Sequence, residues 1–142
     1  MEEFKINVMA VGIATIANFI FGFIWYTPLF GKIWGKEMGY DMNEKPQTGA
    51  LAKGMIAMVI GNFLMAWVLA HNCEAWSFVP DMAAVPKVAI ALNSGIFTWL
   101  GFYFPVDLGS IFWERKSLKL FFINTGYHLG MLLIASFLIT FI

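Results

Sequence analysis

Apolar residues dominate four long runs, and Asp, Glu, Lys and Arg fall only outside those runs. The uncharged stretches cover residues 6–31, 54–73, 88–106 and 120–142, which are 26, 20, 19 and 23 residues long. An α-helix rises about 1.5 Å per residue, so roughly 20 residues cross a hydrocarbon core of about 30 Å. Strands of a membrane barrel would instead alternate polar and apolar residues. The pattern predicts transmembrane helices at about 6–27, 52–72, 87–104 and 118–141, in a single integral membrane domain over residues 1–142.

The composition supports a membrane protein and excludes several other classes. The chain is 60% hydrophobic and only 13% charged, and its mean hydropathy is +0.73. Soluble domains are about half apolar and about a quarter charged, so an ordinary soluble fold and a disordered chain are both excluded. Nine basic residues balance nine acidic ones, which argues against a nucleic-acid partner because such partners need a basic surface. The predicted fold class is an all-α polytopic membrane protein, a four-transmembrane-helix bundle with short interfacial helices.

Prolines and amphipathic stretches predict where the spans end. Pro28 disfavours helical geometry at Thr27, so the first helix should end or kink there, and Pro105 should close the third helix. Residues 29–38 place apolar side chains at helical spacing, which predicts a short helix in the membrane interface. Residues 106–117 are likewise predicted to form an interfacial elbow before the fourth helix.

The distribution of Lys and Arg predicts the orientation. Seven of the nine lie in or beside the loops after the first and third helices. These are Lys32, Lys36, Lys45, Lys53, Arg115, Lys116 and Lys119. Only Lys5 and Lys87 lie on the other side. Because basic loops resist translocation, we expect both basic loops in the cytoplasm and both termini outside, as in a bacterial inner-membrane protein.

Small residues recur at helical spacing within the predicted spans, where they allow helices to approach closely. The second helix carries one such stripe at Ala50, Gly54, Ala57 and Gly61, and the fourth helix contains a GxxxG pair. Such faces should meet inside the bundle or at a contact between subunits. The positions singled out for helix packing are Ala14, Gly22, Gly61, Gly95, Gly126 and Gly130.

Polar residues inside the spans are the candidates for a functional site, because an unpaired polar group in hydrocarbon is costly. They are Asn18, Asn62, Asn93, Asn124 and His128. Asn124 and His128 are four residues apart and share one helix face. Two interpretations stay open: a polar path with ligands or a proton relay, or hydrogen bonds that only fix helix packing.

Asp107 joins these candidates because it directly follows the third uncharged run. If it is buried, it belongs to a switchable protonated or paired site; if it lies at the surface, it is a helix-start carboxylate that faces water.

Motifs of catalysis are absent. The sequence contains no HExxH, no GxSxG and no phosphate-binding glycine loop, so we expect neither an enzyme nor a cofactor. His71, Cys73 and Glu74 stand close together and could hold a metal, but loops often carry such residues by chance, and no metal site is predicted.

Two segments carry a family resemblance. Residues 21–34 read FGFIWYTPLFGKIW, and the C-terminal half contains WLGF at 99–102, LGS at 108–110, WER at 113–115 and INTGY at 123–127. Both resemble a family of small bacterial integral membrane proteins classed as domain of unknown function 1761. The resemblance covers nearly the whole chain and implies a four-helix membrane protein without an established activity. Asp107 and Lys116 depart from the pattern, since an uncharged and a small residue are expected there.

Aromatic and glycine residues, rather than acids or histidines, occupy the signature positions of that family. Trp and Tyr side chains concentrate at membrane interfaces, and Arg or Lys beside them can meet lipid phosphates. The predicted interfacial anchors are Trp25, Tyr26, Trp34, Trp113, Arg115 and Lys116. A specific lipid or ligand pocket is the alternative for this aromatic cluster.

Taken as a whole, the sequence favours a non-enzymatic membrane module that forms a homo-oligomer, most simply a dimer. Its role would be membrane organisation or the binding of partners or lipids, and membrane lipids are predicted among its partners. The alternative is a small transporter or channel whose polar path passes Asn18, Asn93, Asn124 and His128.

Overall fold

The computed structural model describes residues 3–142, and within them it contains helices and connecting loops but no strands. Four helices or helix combinations are long and apolar enough to cross a membrane, which confirms the predicted all-α fold class. The helices are α1 (Val8–Ile24), α2 (Gly31–Glu37), α3 (Thr48–Ser77), α4 (Lys87–Thr98), α5 (Phe104–Trp113) and α6 (Leu118–Phe141). A first π turn (Trp25–Leu29) follows α1, a second π turn (Trp99–Tyr103) joins α4 to α5, and a 3-10 turn (Met82–Ala84) precedes α4.

The four candidate spans are Val8–Leu29, Thr48–Ser77, Lys87–Trp113 and Leu118–Phe141. Side-chain caps define where two of them begin. The Asn7 side chain accepts a hydrogen bond from the Ala10 amide at 3.1 Å, and the Ser117 hydroxyl accepts one from the Leu120 amide at 3.2 Å. Such caps satisfy amide groups that the first helical turn leaves without a partner.

Pro105 does not close the third span, so the prediction that this helix ends at residue 104 was wrong. Pro105 lies in the first turn of α5, and the helical path continues to Trp113. The second π turn directly before α5 already interrupts the regular α-helical hydrogen bonding, and a proline is tolerated at such an interruption. The predicted elbow at 106–117 is therefore mostly part of the span, and only residues 114–117 connect it to α6.

Pro28 acts as the sequence indicated, because the first span departs from α-helical geometry around it. Pro28 lies inside the first π turn. The short helix predicted at 29–38 is present as α2.

Helix α6 lies at the centre of the bundle, where it packs against α1, α3, α4 and α5. Alanines occupy many of the contacts: Ala14, Ala66, Ala91 and Ala135 are all fully buried. Small side chains let the helix backbones approach closely, which is the main source of packing energy between helices in lipid.

Most of the glycines predicted at helix contacts do lie in them. A β-carbon on Gly95 would lie 2.9 Å from Ser136 Oγ, and one on Gly130 would lie 2.6 Å from the Phe21 ring. Gly22 faces Met58 and Tyr127, and Gly126 faces the Trp25 ring. Gly61 differs, because it is exposed and a β-carbon there would have no neighbouring atom within 4 Å. Gly61 therefore takes no part in a helix contact inside the bundle.

The two halves of the chain follow the same order of elements. Each half consists of an apolar helix, a π turn that opens with a tryptophan, a short helix and then a long helix. The π turns give the similarity a structural basis.

Candidate functional site

The second π turn decides which residues of the third span face α6. Ala91 and Gly95 are buried on this face. An uninterrupted helix would continue the face at Phe102 and Val106, but these side chains are 74% and 73% exposed. In the π turn the Phe104 amide donates to the Trp99 carbonyl, five residues back. Such a turn adds one residue to the helix and shifts its faces by one position.

The shift brings Asp107 against His128 on α6. The Asp107 Oδ2 atom lies 2.6 Å from His128 Nδ1, and the two side chains are 11% and 25% exposed. A carboxylate oxygen accepts a hydrogen bond, so the bonding proton belongs on Nδ1 and leaves Nε2 free to take up another proton. Asp107 is therefore a partner inside the bundle and not a helix-start carboxylate in water. We name Asp107 and His128 the acid–imidazole pair.

Two tyrosine rings pack against the imidazole of the acid–imidazole pair. The Tyr103 ring lies 4.9 Å from the His128 ring, and the Tyr127 ring lies 5.7 Å from it, measured between centroids. The one-residue shift that places Asp107 against His128 also places Tyr103 there. Both side chains of the pair are mostly buried, and an interaction between charged or polar groups is stronger there than in water.

A second polar contact lies one turn away on the same face of α6. The Tyr26 hydroxyl, from the first π turn, donates to Asn124 Oδ1 at 2.9 Å. The Tyr26 ring also packs edge-on against Tyr127, at 5.0 Å between centroids. The shared face predicted for Asn124 and His128 is therefore used by two partners, Tyr26 and Asp107, which come from the two halves of the chain.

The two tryptophans that open the π turns hold the same segment of α6. The indole Nε1 of Trp25 donates to the Ile123 carbonyl at 3.0 Å. The Trp99 indole donates to the Thr125 carbonyl at 3.0 Å and lies 3.1 Å from the Thr125 hydroxyl. Sequence reasoning missed Trp99 and Thr125. The available signal was a tryptophan near the end of an apolar run with a proline a few residues later. It occurs in both halves, as Trp25 before Pro28 and Trp99 before Pro105.

The remaining asparagines differ in their surroundings. Asn18 is fully buried, and its Nδ2 donates to the Met131 carbonyl at 3.0 Å. Its Oδ1 has no hydrogen-bond partner among residues 3–142, whereas the amide of the buried Asn62 faces the Tyr127 hydroxyl. Asn93 is exposed on the outer surface of α4. Asn93 therefore does not join the other predicted polar residues, because α4 turns its small residues, Ala91 and Gly95, toward α6 instead.

The predicted interfacial anchors divide into two groups. Trp25, Tyr26 and Trp34 are half-buried, and Trp34 packs edge-on against Tyr26. Trp113 and Arg115 are exposed, whereas Lys116 is half-buried and pairs with Glu114 at 2.7 Å. The first group contributes to the bundle, and the second lies where the third span ends.

The three neighbours considered for a metal point to different partners. His71 Nδ1 lies 2.7 Å from the Trp67 carbonyl, and Cys73 Sγ lies 3.6 Å from the Ser94 hydroxyl. Glu74 accepts a hydrogen bond from the Lys5 amide. Among the described residues, no three His, Cys, Asp or Glu side chains come together as a metal site would require.

No curated protein and no solved structure matches this chain. The family described as protein of unknown function, DUF1761, matches residues 9–140, a range that includes both π turns and the acid–imidazole pair. This match confirms the resemblance seen in the sequence motifs. Because it covers nearly the entire chain, the protein belongs to the DUF1761 family.

Proposed function

We propose that this protein is a non-enzymatic membrane module that self-associates, most simply as a dimer, and serves membrane organisation or partner binding. One observation carries this proposal. The small-residue stripe of α3 lies on the outside of the bundle, where it is free to meet another helix.

The stripe consists of Ala50, Gly54, Ala57 and Gly61, and all four residues are exposed. The opposite side of α3 packs into the bundle through residues such as Asn62 and Ala66. Apolar exposure alone means little in lipid, because lipid tails solvate large side chains well. A row of glycine and alanine is different, because it allows the backbone of a second helix to approach closely. A second copy of α3 is the partner that this surface suits best.

Replacing Gly61 with leucine should shift the protein from dimer to monomer without unfolding it. The new side chain enters open space in a single chain, but it holds two α3 helices apart. We expect the dimer dissociation constant to rise about tenfold or more, since a lost close contact of about 1.4 kcal/mol has that effect. Native mass spectrometry or cross-linking in lipid would measure it.

The matched control is Gly12→Leu on α1, where a β-carbon also meets no neighbour within 4 Å. This variant should dimerise like the parent. A parent protein that is monomeric in lipid, or a Gly61→Leu variant that dimerises normally, would contradict the proposal.

The proposed location is a bacterial cytoplasmic membrane, with both termini outside. The Lys5 amide bonds to Glu74 near the end of α3, and the Lys87 ammonium lies 5.9 Å from the Phe141 ring centroid. These contacts gather the two terminal segments at one end of the bundle. The seven other basic residues lie in or beside the connections at the opposite end, and this asymmetry supports a cytoplasmic position for those loops.

The acid–imidazole pair favours a second candidate, a small proton-linked transporter or channel. An imidazole whose Nδ1 is held by a carboxylate can take up and release a proton at Nε2. The unpartnered Oδ1 atom of Asn18 adds support, because buried polar atoms without a protein partner usually bond to water. A path past Asn18, Asn124 and His128 would be closed by the bundle or by a second subunit.

Proton flux into vesicles that carry the reconstituted protein tests this candidate. We expect His128→Gln to slow the collapse of an imposed pH gradient about tenfold or more, because an amide cannot relay a proton as imidazole does. Asn72→Gln, a change at an exposed position of α3, should leave the flux unchanged. Equal flux for the parent and His128→Gln, or no flux above empty vesicles, would remove the transport candidate.

A further inference from the structure

A cleft of about 380 Å³ opens at the end of the bundle where α1 begins and α6 ends. Its walls come from the segment before α1, the end of α3, the 3-10 turn, the start of α4 and the end of α6. Apolar residues including Ile6, Ala70, Ile90 and Ile139 line part of it. We name it the terminal cleft. It is separate from the acid–imidazole pair and from the stripe of α3, since it shares no residue with either.

Three charged side chains line the terminal cleft: Lys5, Lys87 and Glu74. Lys5 and Lys87 are the two lysines that the charge pattern assigns to this end of the protein. The ion pair between Lys5 and Glu3 is highly exposed, so it holds the Lys5 ammonium only weakly. A ligand that suits the cleft therefore needs a negative group for two ammonium ions and a positive group for one carboxylate.

Uncharged polar groups in the same place also lack partners. Thr140 is one of the lining residues, and its hydroxyl oxygen is buried behind the cleft wall without a hydrogen-bond partner among residues 3–142. Helix α4 begins at Lys87 after Pro86, and no side chain caps its first amide groups. Uncapped amide groups at a helix start suit an anionic oxygen.

We infer that the terminal cleft binds the headgroup of a phospholipid that carries both a phosphate and a primary ammonium group. Lys5 and Lys87 would meet the phosphate, and the Glu74 carboxylate would accept hydrogen bonds from the ammonium. The cleft lies where the charge-free stretches end, which is the depth of lipid headgroups. Its volume suits a headgroup, so the acyl chains would lie along the lipid-facing helices outside it.

The single cysteine gives a reporter inside the cleft. Cys73 is one of the lining residues, and no other thiol exists in the chain. The rate at which a maleimide modifies Cys73 in detergent-solubilised full-length protein should fall when the cleft fills. Phosphatidylethanolamine added at about four times its dissociation constant should slow modification about fivefold, because only the unoccupied fraction reacts.

Variants separate the two halves of the headgroup. Lys87→Gln should weaken binding about tenfold or more, since it removes a charge-assisted contact to phosphate. Glu74→Gln keeps an oxygen to accept the Lys5 amide, so it should fold normally. In this variant, phosphatidylethanolamine and phosphatidylglycerol should protect Cys73 equally well. In the parent, phosphatidylethanolamine should protect it better. Lys119→Gln, at the opposite end of the bundle, is the control and should behave like the parent.

Other outcomes would overturn the inference. Equal protection by all lipids in the parent would mean that the headgroup is not recognised, and retained protection in Lys87→Gln would exclude the phosphate contact. Protection by soluble phosphoethanolamine at the same concentration would identify a soluble ligand in place of a lipid. Native mass spectrometry of lipid retained by the parent and by Lys87→Gln gives a second measurement, and equal retention would also contradict the site.

Discussion

Replacing His128 with leucine is expected to lower the free energy of unfolding by about 2 to 4 kcal/mol, because the change leaves a carboxyl group without its partner inside the bundle. Asp107 accepts the hydrogen bond from His128 at 2.6 Å, and the rings of Tyr103 and Tyr127 pack beside the imidazole. Once the imidazole is gone, the carboxyl must either stay charged without compensation or bind a proton. Equilibrium unfolding in mixed micelles, as the fraction of denaturing detergent rises, would measure the loss.

The double variant His128→Leu with Asp107→Leu is the control for this prediction. Removing both partners eliminates the unpaired group, so the double variant should recover most of the stability that His128→Leu alone loses. If the effects of the two single changes simply add, the side chains are not coupled and the contact contributes nothing to the fold. The measurement is independent of proton flux, so it tests the geometry of the pair even if the protein transports nothing.

Replacing Gly95 with leucine should cost about 3 kcal/mol, since overpacking a tight helix contact forces the backbones apart. A β-carbon at Gly95 would lie 2.9 Å from Ser136 Oγ and 3.3 Å from the Leu132 carbonyl oxygen. The carbonyl belongs to the backbone of α6 and cannot move aside as a flexible side chain can. The same unfolding assay in mixed micelles measures the loss of stability.

Gly101→Leu lies in the same span and serves as the matched control. No atom lies within 4 Å of a β-carbon at Gly101, so the added side chain should face lipid and leave stability nearly unchanged. Equal losses for the two variants would show that leucine disturbs this span wherever it is placed. Tolerance of Gly95→Leu would contradict the close α4–α6 approach.

Several features of the fold followed from the sequence because they depend on local chemistry. Uncharged runs long enough to cross a bilayer predict helices, and the four candidate spans confirm them. The break at Pro28 and the short helix α2 followed from a missing amide hydrogen and from apolar spacing. The polar candidates Asp107 and His128 were visible as costly groups within or beside apolar runs.

The pairing of Asp107 with His128 could not be predicted in this way. Counting residues along a regular helix from Ala91 and Gly95 leads to Phe102 and Val106, not to Asp107. One additional residue in the second π turn changes that count, and a sequence pattern gives no direct sign of it. Because the second π turn was not predicted, the third helix was wrongly predicted to end before Pro105. The hydrogen bond from Trp99 to α6 was not predicted for the same reason.

What the sequence determined by itself is the set of membrane-spanning elements, because hydrophobic run length and charge placement act on each segment separately. The tertiary structure decided which residues meet. It placed Asn93 outside the bundle, Asn18 inside it, and Asp107 against His128, because helix contacts depend on rotation and close approach summed over several helices. A rotation of one residue about a helix axis leaves hydropathy unchanged but replaces every side chain on the contacting face.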